Sequence, residues 1–251
     1  MAESDLVFWC IAGFLFGLFL FVNGFKSFKL KRAIENIPTS KIRSLAMGIV
    51  EIYGTVVPGK VLKSPFSNKD CVYYKYIIEE YRKSGKNSRW VKIDSGEQRE
   101  YFYIRDETGT VLVNPVKAQI EIPVDFIYSS EMGTDPPSEV VKFLNQKGIS
   151  YEGLFGINKK MKYTEFFLAP NDKVYILGTA GTNPFRREDM STKHEDLIMV
   201  QKGNNEIFFI SDLTEKQILN SLKLKVIWGI WGGSAITVIS LTVLFLYLGI
   251  L

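Results

Sequence analysis

The chain has 251 residues, of which 46% are hydrophobic, and it carries a formal net charge of +4. Its two Cys and single His are fewer than the four ligands that a structural zinc site usually takes, which excludes a fold built around zinc. A disulfide is not expected either, because Cys10 lies in an apolar segment and Cys71 in a predicted strand. The composition predicts no cofactor.

The first element is an uncharged apolar segment from Leu6 to Phe25. As a helix it would be about 30 Å long, which matches the hydrocarbon core of a bilayer. A cleaved signal peptide is the alternative, but the preceding residues carry Glu3 and Asp5 and no base, and no A-x-A cleavage site follows. We therefore predict a retained transmembrane anchor at residues 1–25, followed by a basic linker at residues 26–43.

Residues 44–210 show the pattern of strands, with short runs of β-branched and aromatic residues between turn residues. The turn from Asp106 to Gly109 predicts a hairpin, and Gly203 predicts a second hairpin between Ile198–Lys202 and Glu206–Ile210. The other predicted strands are Ala46–Tyr53, Cys71–Tyr81, Trp90–Ile93, Glu100–Arg105, Thr110–Val113, Ala118–Ile122 and Lys173–Leu177.

One helix is predicted inside this domain. Asp135 is the expected N-cap, Pro136 and Pro137 suit the first turn, and Gly148 suits the end. The predicted fold class is therefore mainly β, within α+β: a barrel or sandwich with a short surface helix, flanked by two transmembrane helices.

The chain is predicted to end as a helical rod. A juxtamembrane helix at residues 211–225 continues into a second apolar segment at residues 226–251. Nine basic residues flank the inner ends of the two apolar segments and none flanks the outer ends, which predicts a multi-pass protein of the cell membrane with a cytoplasmic domain and both termini outside. These bases also suit anionic lipid headgroups. They are Lys26, Lys29, Lys31, Arg32, Lys41, Arg43, Lys216, Lys223 and Lys225.

Each apolar segment contains a pair of small residues four positions apart, Gly13 with Gly17 and Gly229 with Gly233. Such pairs let helix backbones approach closely in lipid. The two helices could pack on each other or on a second copy of the chain.

The soluble domain shows no motif of a known catalytic or nucleotide site. A nucleophilic thiol at Cys71 would need His194 close in space, and a Cys that fills a strand position is the more common case. Two basic clusters are present, but the pI near 8.8 is modest and no RNA-binding motif accompanies them. We therefore predict neither a nucleic-acid partner nor a small-molecule substrate. The clusters are Lys83, Lys86, Arg89 and Lys92, and Lys159, Lys160 and Lys162.

Several blocks in order resemble the GIDE domain, the non-RING part of the mitochondrial outer-membrane ubiquitin ligases that also occurs in prokaryotic membrane proteins. The resemblance covers most of the region from Ser44 to Ala180. Its blocks are Ser44–Gly54, Leu62–Phe66, Cys71–Tyr76, Asp106–Gly109, Val111–Val113 with Pro115 and Ala118, Glu165, and Val174–Gly178.

The resemblance implies two transmembrane helices, as the hydropathy pattern also predicts. It also implies a domain on the extracytoplasmic side, opposite to the count of basic residues. Ubiquitin transfer is not expected, because the eight-ligand RING of the eukaryotic ligases cannot form from three Cys and His residues. The blocks supply the candidate interaction residues Ser64, Pro65, Tyr73, Tyr74, Asp106 and Gly109, although turns and strand packing alone would also account for them.

The sequence thus predicts a membrane-anchored, non-catalytic interaction or scaffold module that binds an unidentified protein or itself. Two alternatives stay open. One is a membrane-associated, hydrolase-like enzyme that uses Cys71 or a pair of carboxylates. The other is an accessory subunit that contacts a larger complex through its glycine faces.

Overall fold

The structure is a computed structural model that describes residues 2–84, 87–131, 133–153, 156–186, 193–204 and 207–249. The chain divides into two compact units. One is helical and consists of Met1–Pro38 with Leu213–Leu251, and the other is Thr39–Asp212.

The helical unit contains two long rods. Helix α1 spans Ala2–Asn36, so it continues through the first part of the predicted basic linker. The second rod comprises helix α3 at Glu215–Val226, a π-helical segment at Ile227–Gly232 and helix α4 at Gly233–Tyr247. Thr214 begins this rod with a capping box, in which its backbone N–H donates to Gln217 Oε1 at 3.0 Å.

Both rods are long and apolar enough to cross a membrane, over Asp5–Asn36 and Glu215–Tyr247. They also pack on each other beyond the apolar segments, where α1 contacts α3. The buried side chains of that part are Leu30 and Ile34 on α1, and Ile218 and Leu222 on α3. On α1 the apolar seam therefore extends past Phe25 as far as Ile34, or about 14 Å at about 1.5 Å per residue.

All four predicted packing glycines lie where α1 meets the second rod. A Cβ on Gly13 would lie 2.6 Å from Ser240 Oγ, and a Cβ on Gly17 would lie 2.9 Å from the carbonyl oxygen of Gly233. The closest approach involves a further glycine, since a Cβ on Gly24 would lie 2.7 Å from Gly229 Cα. The two backbones therefore touch along this line.

A closed five-stranded barrel forms the centre of the second unit. The sheet has the order β1-β6-β7-β12-β11-β13-β8, and pairing of β1 with β11 closes the barrel. Its interior is filled by side chains such as Ile52, Ile104 and Ile176. The strands are β1 Gly48–Pro58, β6 Phe102–Arg105, β7 Thr110–Val113, β8 Gln119–Ile120, β11 Lys173–Thr182, β12 Ile198–Gln201 and β13 Phe209–Ser211.

A second, open sheet has the order β5-β4-β10-β9. Helix α2, Ser138–Lys147, covers one face of it, and Gly148 ends the helix in the left-handed conformation at φ 67°. The core between helix and sheet is Phe66, Tyr76, Ile78, Val140, Leu144, Met161 and Tyr163. The strands are β4 Tyr73–Ser84, β5 Asn87–Arg99, β9 Phe126–Ser130 and β10 Met161–Leu168, and a small hairpin joins β2 Leu62–Lys63 to β3 Asp70–Cys71.

This architecture confirms the predicted fold class. The hairpin around Asp106–Gly109 is also confirmed, because β6 pairs with β7 there. The second predicted hairpin is wrong. Strands β12 and β13 both pair with β11, which at ten residues is long enough to accommodate both. Residues 205 and 206 of the predicted hairpin, the last of its turn and the first of its second strand, lie outside the described residues.

The predicted N-cap of α2 is also wrong. Pro137 occupies the N-cap position, and Asp135 instead accepts a hydrogen bond from Asn158 Nδ2 at 2.9 Å. Two consecutive prolines displace the helix start, because the residue before a proline avoids the helical conformation.

Candidate functional site

A cleft lies between α2 and the loop that joins β2 to β3. Its volume is about 350 Å³. Three of the six predicted interaction residues, Ser64, Pro65 and Tyr74, line it together. The other lining residues are Lys63, Asn68, Glu139, Lys142, Phe143 and Gln146.

The loop side of the cleft is held by bonds centred on Ser64. Its Oγ accepts from the backbone N–H of Lys69 at 3.0 Å, and its carbonyl oxygen accepts from the N–H of Asn68 at 3.1 Å. Asn68 has a φ of 53°, a left-handed conformation that Asn tolerates better than most residues. The loop therefore folds tightly on itself and presents Pro65 and Asn68 to the cleft.

A buried carboxylate on the sheet holds this loop in place. Glu165 lies on β10 and is fully buried. It accepts from the backbone N–H of Phe66 at 2.7 Å, from that of Ser67 at 3.1 Å and from Ser67 Oγ at 2.5 Å. Because all three hydrogen bonds join the loop to this one side chain of β10, Glu165 determines where the loop lies on the sheet.

The side chain of Phe66 joins the loop to α2. Its ring makes edge contacts with Tyr76, Phe143 and Tyr163 at centroid distances of 5.8, 5.5 and 5.6 Å. Phe143 belongs to α2 and also contacts Tyr76 at 4.9 Å. Both walls of the cleft are therefore fixed to the same aromatic cluster, which makes the cleft preformed.

The cleft combines apolar and polar groups. Pro65, Phe143 and Tyr74 supply apolar surface, and the amides of Asn68 and Gln146 can both donate and accept. Burial raises the pKa of Tyr74, and its hydroxyl donates to Gln98 Oε1 at 2.9 Å. Among the residues that the structure describes, the lining contains no Cys or His.

The other three predicted residues lie elsewhere. Tyr73 belongs to the barrel core, where its hydroxyl donates to Glu97 at 3.2 Å. Asp106 accepts from the backbone N–H groups of Ile42, Thr108 and Gly109 at 2.9, 2.7 and 2.9 Å. Burial opposes ionisation of Asp106, but these hydrogen bonds outweigh it and lower its pKa.

A second cavity of about 430 Å³ lies beside the Asp106–Gly109 turn. It shares no lining residue with the cleft and is lined by Arg43, Thr108, Lys193, His194 and Glu195. A Cβ on Gly109 would lie 2.9 Å from Glu195 Oε1 and 3.3 Å from Ile42 Cγ2, so a larger residue there would displace the end of the Glu195 side chain. The turn thus closes a hairpin, and Asp106 within it accepts a hydrogen bond from the backbone N–H of Ile42.

The Cys71 thiol is fully buried and donates to the carbonyl oxygen of Leu62 at 3.7 Å. Burial and the nearby charge of Glu165 raise its pKa to about 12. Because the thiolate is the nucleophilic form, we expect this thiol to be unreactive while the domain is folded.

Three carboxyl groups, Asp125, Asp172 and Asp212, have raised pKa values, in each case chiefly through burial. The pKa of Asp212 reaches about 6 because burial is reinforced by the charges of Asp125 and Asp172. Within the part of the chain that the structure describes, its buried Oδ1 has no hydrogen-bond partner. Within the described ranges, no group of three His, Cys, Asp or Glu residues is arranged to hold a metal ion.

The fold and the cleft define a β-barrel domain with a helix-covered sheet, inserted between two long apolar helices. The sequence profile of the GIDE family, which carries the description E3 ubiquitin ligase, matches residues 73–245. Because the match covers more than half of the chain, the protein belongs to the GIDE family. Comparisons with curated proteins and with solved structures returned no match.

Three of the nine lining residues were predicted from the sequence. Glu165 was named only as part of a family block, and Lys142, Phe143 and Gln146 on α2 were not predicted as site residues. One signal was available, since Glu165 shares the strand face of Met161, Tyr163 and Phe167 in the run Met161–Leu168. A charged residue at an inward position of a strand usually marks a buried polar contact.

Proposed function

We propose that this chain is a membrane-anchored, non-catalytic interaction module that binds a protein partner through the cleft between α2 and the β2–β3 loop. The observation that carries the proposal is the fixed geometry of the cleft: the fully buried Glu165 orients one wall, and Phe143 anchors the other. Preformed walls lower the entropic cost of binding.

We do not extend the ligase activity of the family description to this chain. A RING binds its two zinc ions through eight Cys and His residues, whereas the sequence holds two Cys and one His. Recognition without ubiquitin transfer is therefore the part of the family's chemistry that these residues support.

Two of the alternatives gain no support from the residues on which they were based: the enzyme that uses Cys71 and the accessory subunit. An enzyme that uses Cys71 would need an accessible thiolate, and this thiol is buried with a raised pKa. An accessory subunit that docks through its glycine faces would need those faces open, and they are occupied by contacts between α1 and the second rod.

The topology proposed with this function is a cytoplasmic domain with both termini outside, supported by the basic residues at the inner ends of both helices. The test is protease treatment of intact cells and of inverted vesicles. Cleavage within residues 39–212 in inverted vesicles alone would support this topology. Cleavage of that region from outside intact cells would refute it.

Photo-crosslinking in the native membrane tests the interaction. A photoreactive residue at Gln146, in the cleft, is compared with one at Lys173, an exposed position outside it. The proposal predicts a discrete adduct from position 146 that is absent from position 173 and is reduced by Lys142→Glu. Equal labelling from both positions, or no adduct from position 146, would contradict it.

A further inference from the structure

The end of the β4–β5 hairpin extends beyond the rest of its sheet. Strand β10 pairs with β4 only as far as Met161 opposite Glu80, while β4 and β5 remain paired out to Ser84 opposite Asn87. A two-stranded ribbon thus projects past β10. At the start of this ribbon, the rings of Tyr81 and Trp90 make an edge contact with their centroids 5.2 Å apart.

The ribbon and the residues at its base are strongly basic. The described residues 79–83, 87–92 and 159–162 include seven basic and two acidic side chains, a formal charge of +5. The whole unit from Thr39 to Asp212 has twenty-four basic and twenty-three acidic residues, a charge of +1. Positive charge is therefore concentrated at this end, and the remainder of the unit carries −4.

Both acids of this region are already neutralised. Glu79 pairs with Lys162 at 2.5 Å, and Glu80 pairs with Arg82 at 2.8 Å. Among the residues that the structure describes, Lys83, Arg89 and Lys92 form no ion pair, and all three are exposed. Three cations are thus left to meet an external anion.

The outer edge of β5 is open along this basic stretch. Strand β5 ends the order β5-β4-β10-β9 and pairs with β4 alone among the described strands. A register shift between Ile78 and Glu79 leaves Ile93 as the extra residue on β5, because Lys92 lies opposite Glu79 and Asp94 opposite Ile78. This bulge interrupts the regular edge, so residues 87–92 form one regular basic edge of six residues.

We propose that this basic edge, residues 87–92 of β5, binds an extended acidic segment of a partner protein by strand addition. Unpaired backbone groups of an edge strand supply the hydrogen bonds of such a complex. Arg89 and Lys92 lie three positions apart and therefore project from opposite faces of β5. They select acidic side chains that are three positions apart on the bound segment. A second copy of the same edge is disfavoured, because it would bring like charges together. This surface shares no residue with the cleft and does not depend on the proposed function.

The experiment uses the full chain in nanodiscs of neutral phosphatidylcholine. The probe is a fluorescent peptide of about eight residues, with Glu at every third position and Val and Thr between them, chosen for strand propensity. Fluorescence anisotropy should show saturable binding. The variant Arg89→Glu with Lys92→Glu should weaken it by about tenfold or more. The matched control, Arg105→Glu with Lys173→Glu, reverses two exposed bases that form no ion pair in the described structure and should leave the affinity unchanged.

A second peptide, N-methylated at alternate residues, separates strand addition from charge attraction alone, since it keeps the charges but loses backbone donors. It should not bind. Equal binding of both peptides, no binding of the first, or an equal loss in the control variant would each overturn the proposal. Preferential binding to added phosphatidylserine vesicles, lost in Arg89→Glu with Lys92→Glu, would assign the edge to lipid and would also overturn it. Crosslinking from Gln146 tests the cleft separately, so failure of the basic edge and failure of the proposed function can be distinguished.

Discussion

The buried carboxylate of Glu165 offers the sharpest test of how the cleft is built. In Glu165→Gln, one side-chain oxygen remains as an acceptor, but the other becomes an NH₂ group that faces the donors of Ser67. The bond from the backbone N–H of Phe66 is kept and that from the N–H of Ser67 is lost, while Ser67 Oγ can turn to accept from the new NH₂ group. A donor left without its partner costs about 1–3 kcal/mol. We expect a net destabilisation of that size.

Two measurements check this expectation in the full chain. The first is chemical denaturation followed by near-UV circular dichroism, which gives the free energy of unfolding. The second is amide hydrogen exchange, because the N–H groups of Phe66 and Ser67 donate to Glu165 in the folded protein. Both amides should exchange faster in the variant, while amides inside β10 keep their relative protection.

Glu51→Gln is the matched control. Glu51 is also buried, but it accepts from the hydroxyls of Thr39 and Tyr175, both at 2.6 Å, and makes none of the bonds that hold the loop. It should lower stability without selective exchange at Phe66 and Ser67. If Glu165→Gln changed stability by less than about 0.5 kcal/mol, or if Glu51→Gln exposed the loop amides equally, Glu165 would not be what positions the loop.

The pKa of Asp212 is raised to about 6, chiefly by burial, so ionisation of Asp212 destabilises the folded state. The free energy of unfolding should therefore fall as the pH rises from about 4 to 7. Urea denaturation should find Asp212→Asn more stable than the wild type by about 1 kcal/mol at pH 7, a value reduced for solvent screening, and as stable as the wild type near pH 3. A parallel pH dependence in wild type and variant would contradict this. The thiol of Cys71 should resist iodoacetamide at pH 8 until the domain is unfolded, as mass spectrometry of the labelled peptide would show; rapid labelling of the native protein would disprove its inertness. Gly24→Leu should weaken the helix pair by about 2 kcal/mol or more in detergent, because a Cβ there would lie 2.7 Å from the Gly229 backbone. Gly232→Leu should have little effect, because the nearest atom to a Cβ there is a Trp228 ring carbon at 3.6 Å. Thermal unfolding compares the two variants, and equal effects would argue against close backbone packing at Gly24.

Local patterns predicted most of the elements. The run Thr110–Val113 has the same bounds in sequence and structure, because β-branched residues between a Gly and an Asn–Pro pair leave little choice of boundary. Strand β5 was predicted only as Trp90–Ile93, yet it spans Asn87–Arg99. Its polar residues have low strand propensity on their own and become extended through pairing with β4.

Features that depend on distant parts of the chain were not predictable in this way. Ser64 and Pro65 were found because they are local turn residues, but Glu165 reaches Phe66 across 99 positions. The pairing of both β12 and β13 with β11 likewise depends on the length of β11, which nothing within Ile198–Ile210 reveals. Local propensity describes neighbours in the chain, whereas this cleft is made by neighbours in space.

Closure of the barrel has a consequence for the order of events during synthesis. Gly48 pairs with Ala180, 132 positions later, so the last seam of the barrel cannot form until β11 has left the ribosome. Contacts of such long sequence separation form slowly, and a growing chain folds from its N-terminal end. Helix α1 is therefore available to the membrane while β1 still has an unpaired edge, and anchoring of the nascent chain precedes completion of its fold.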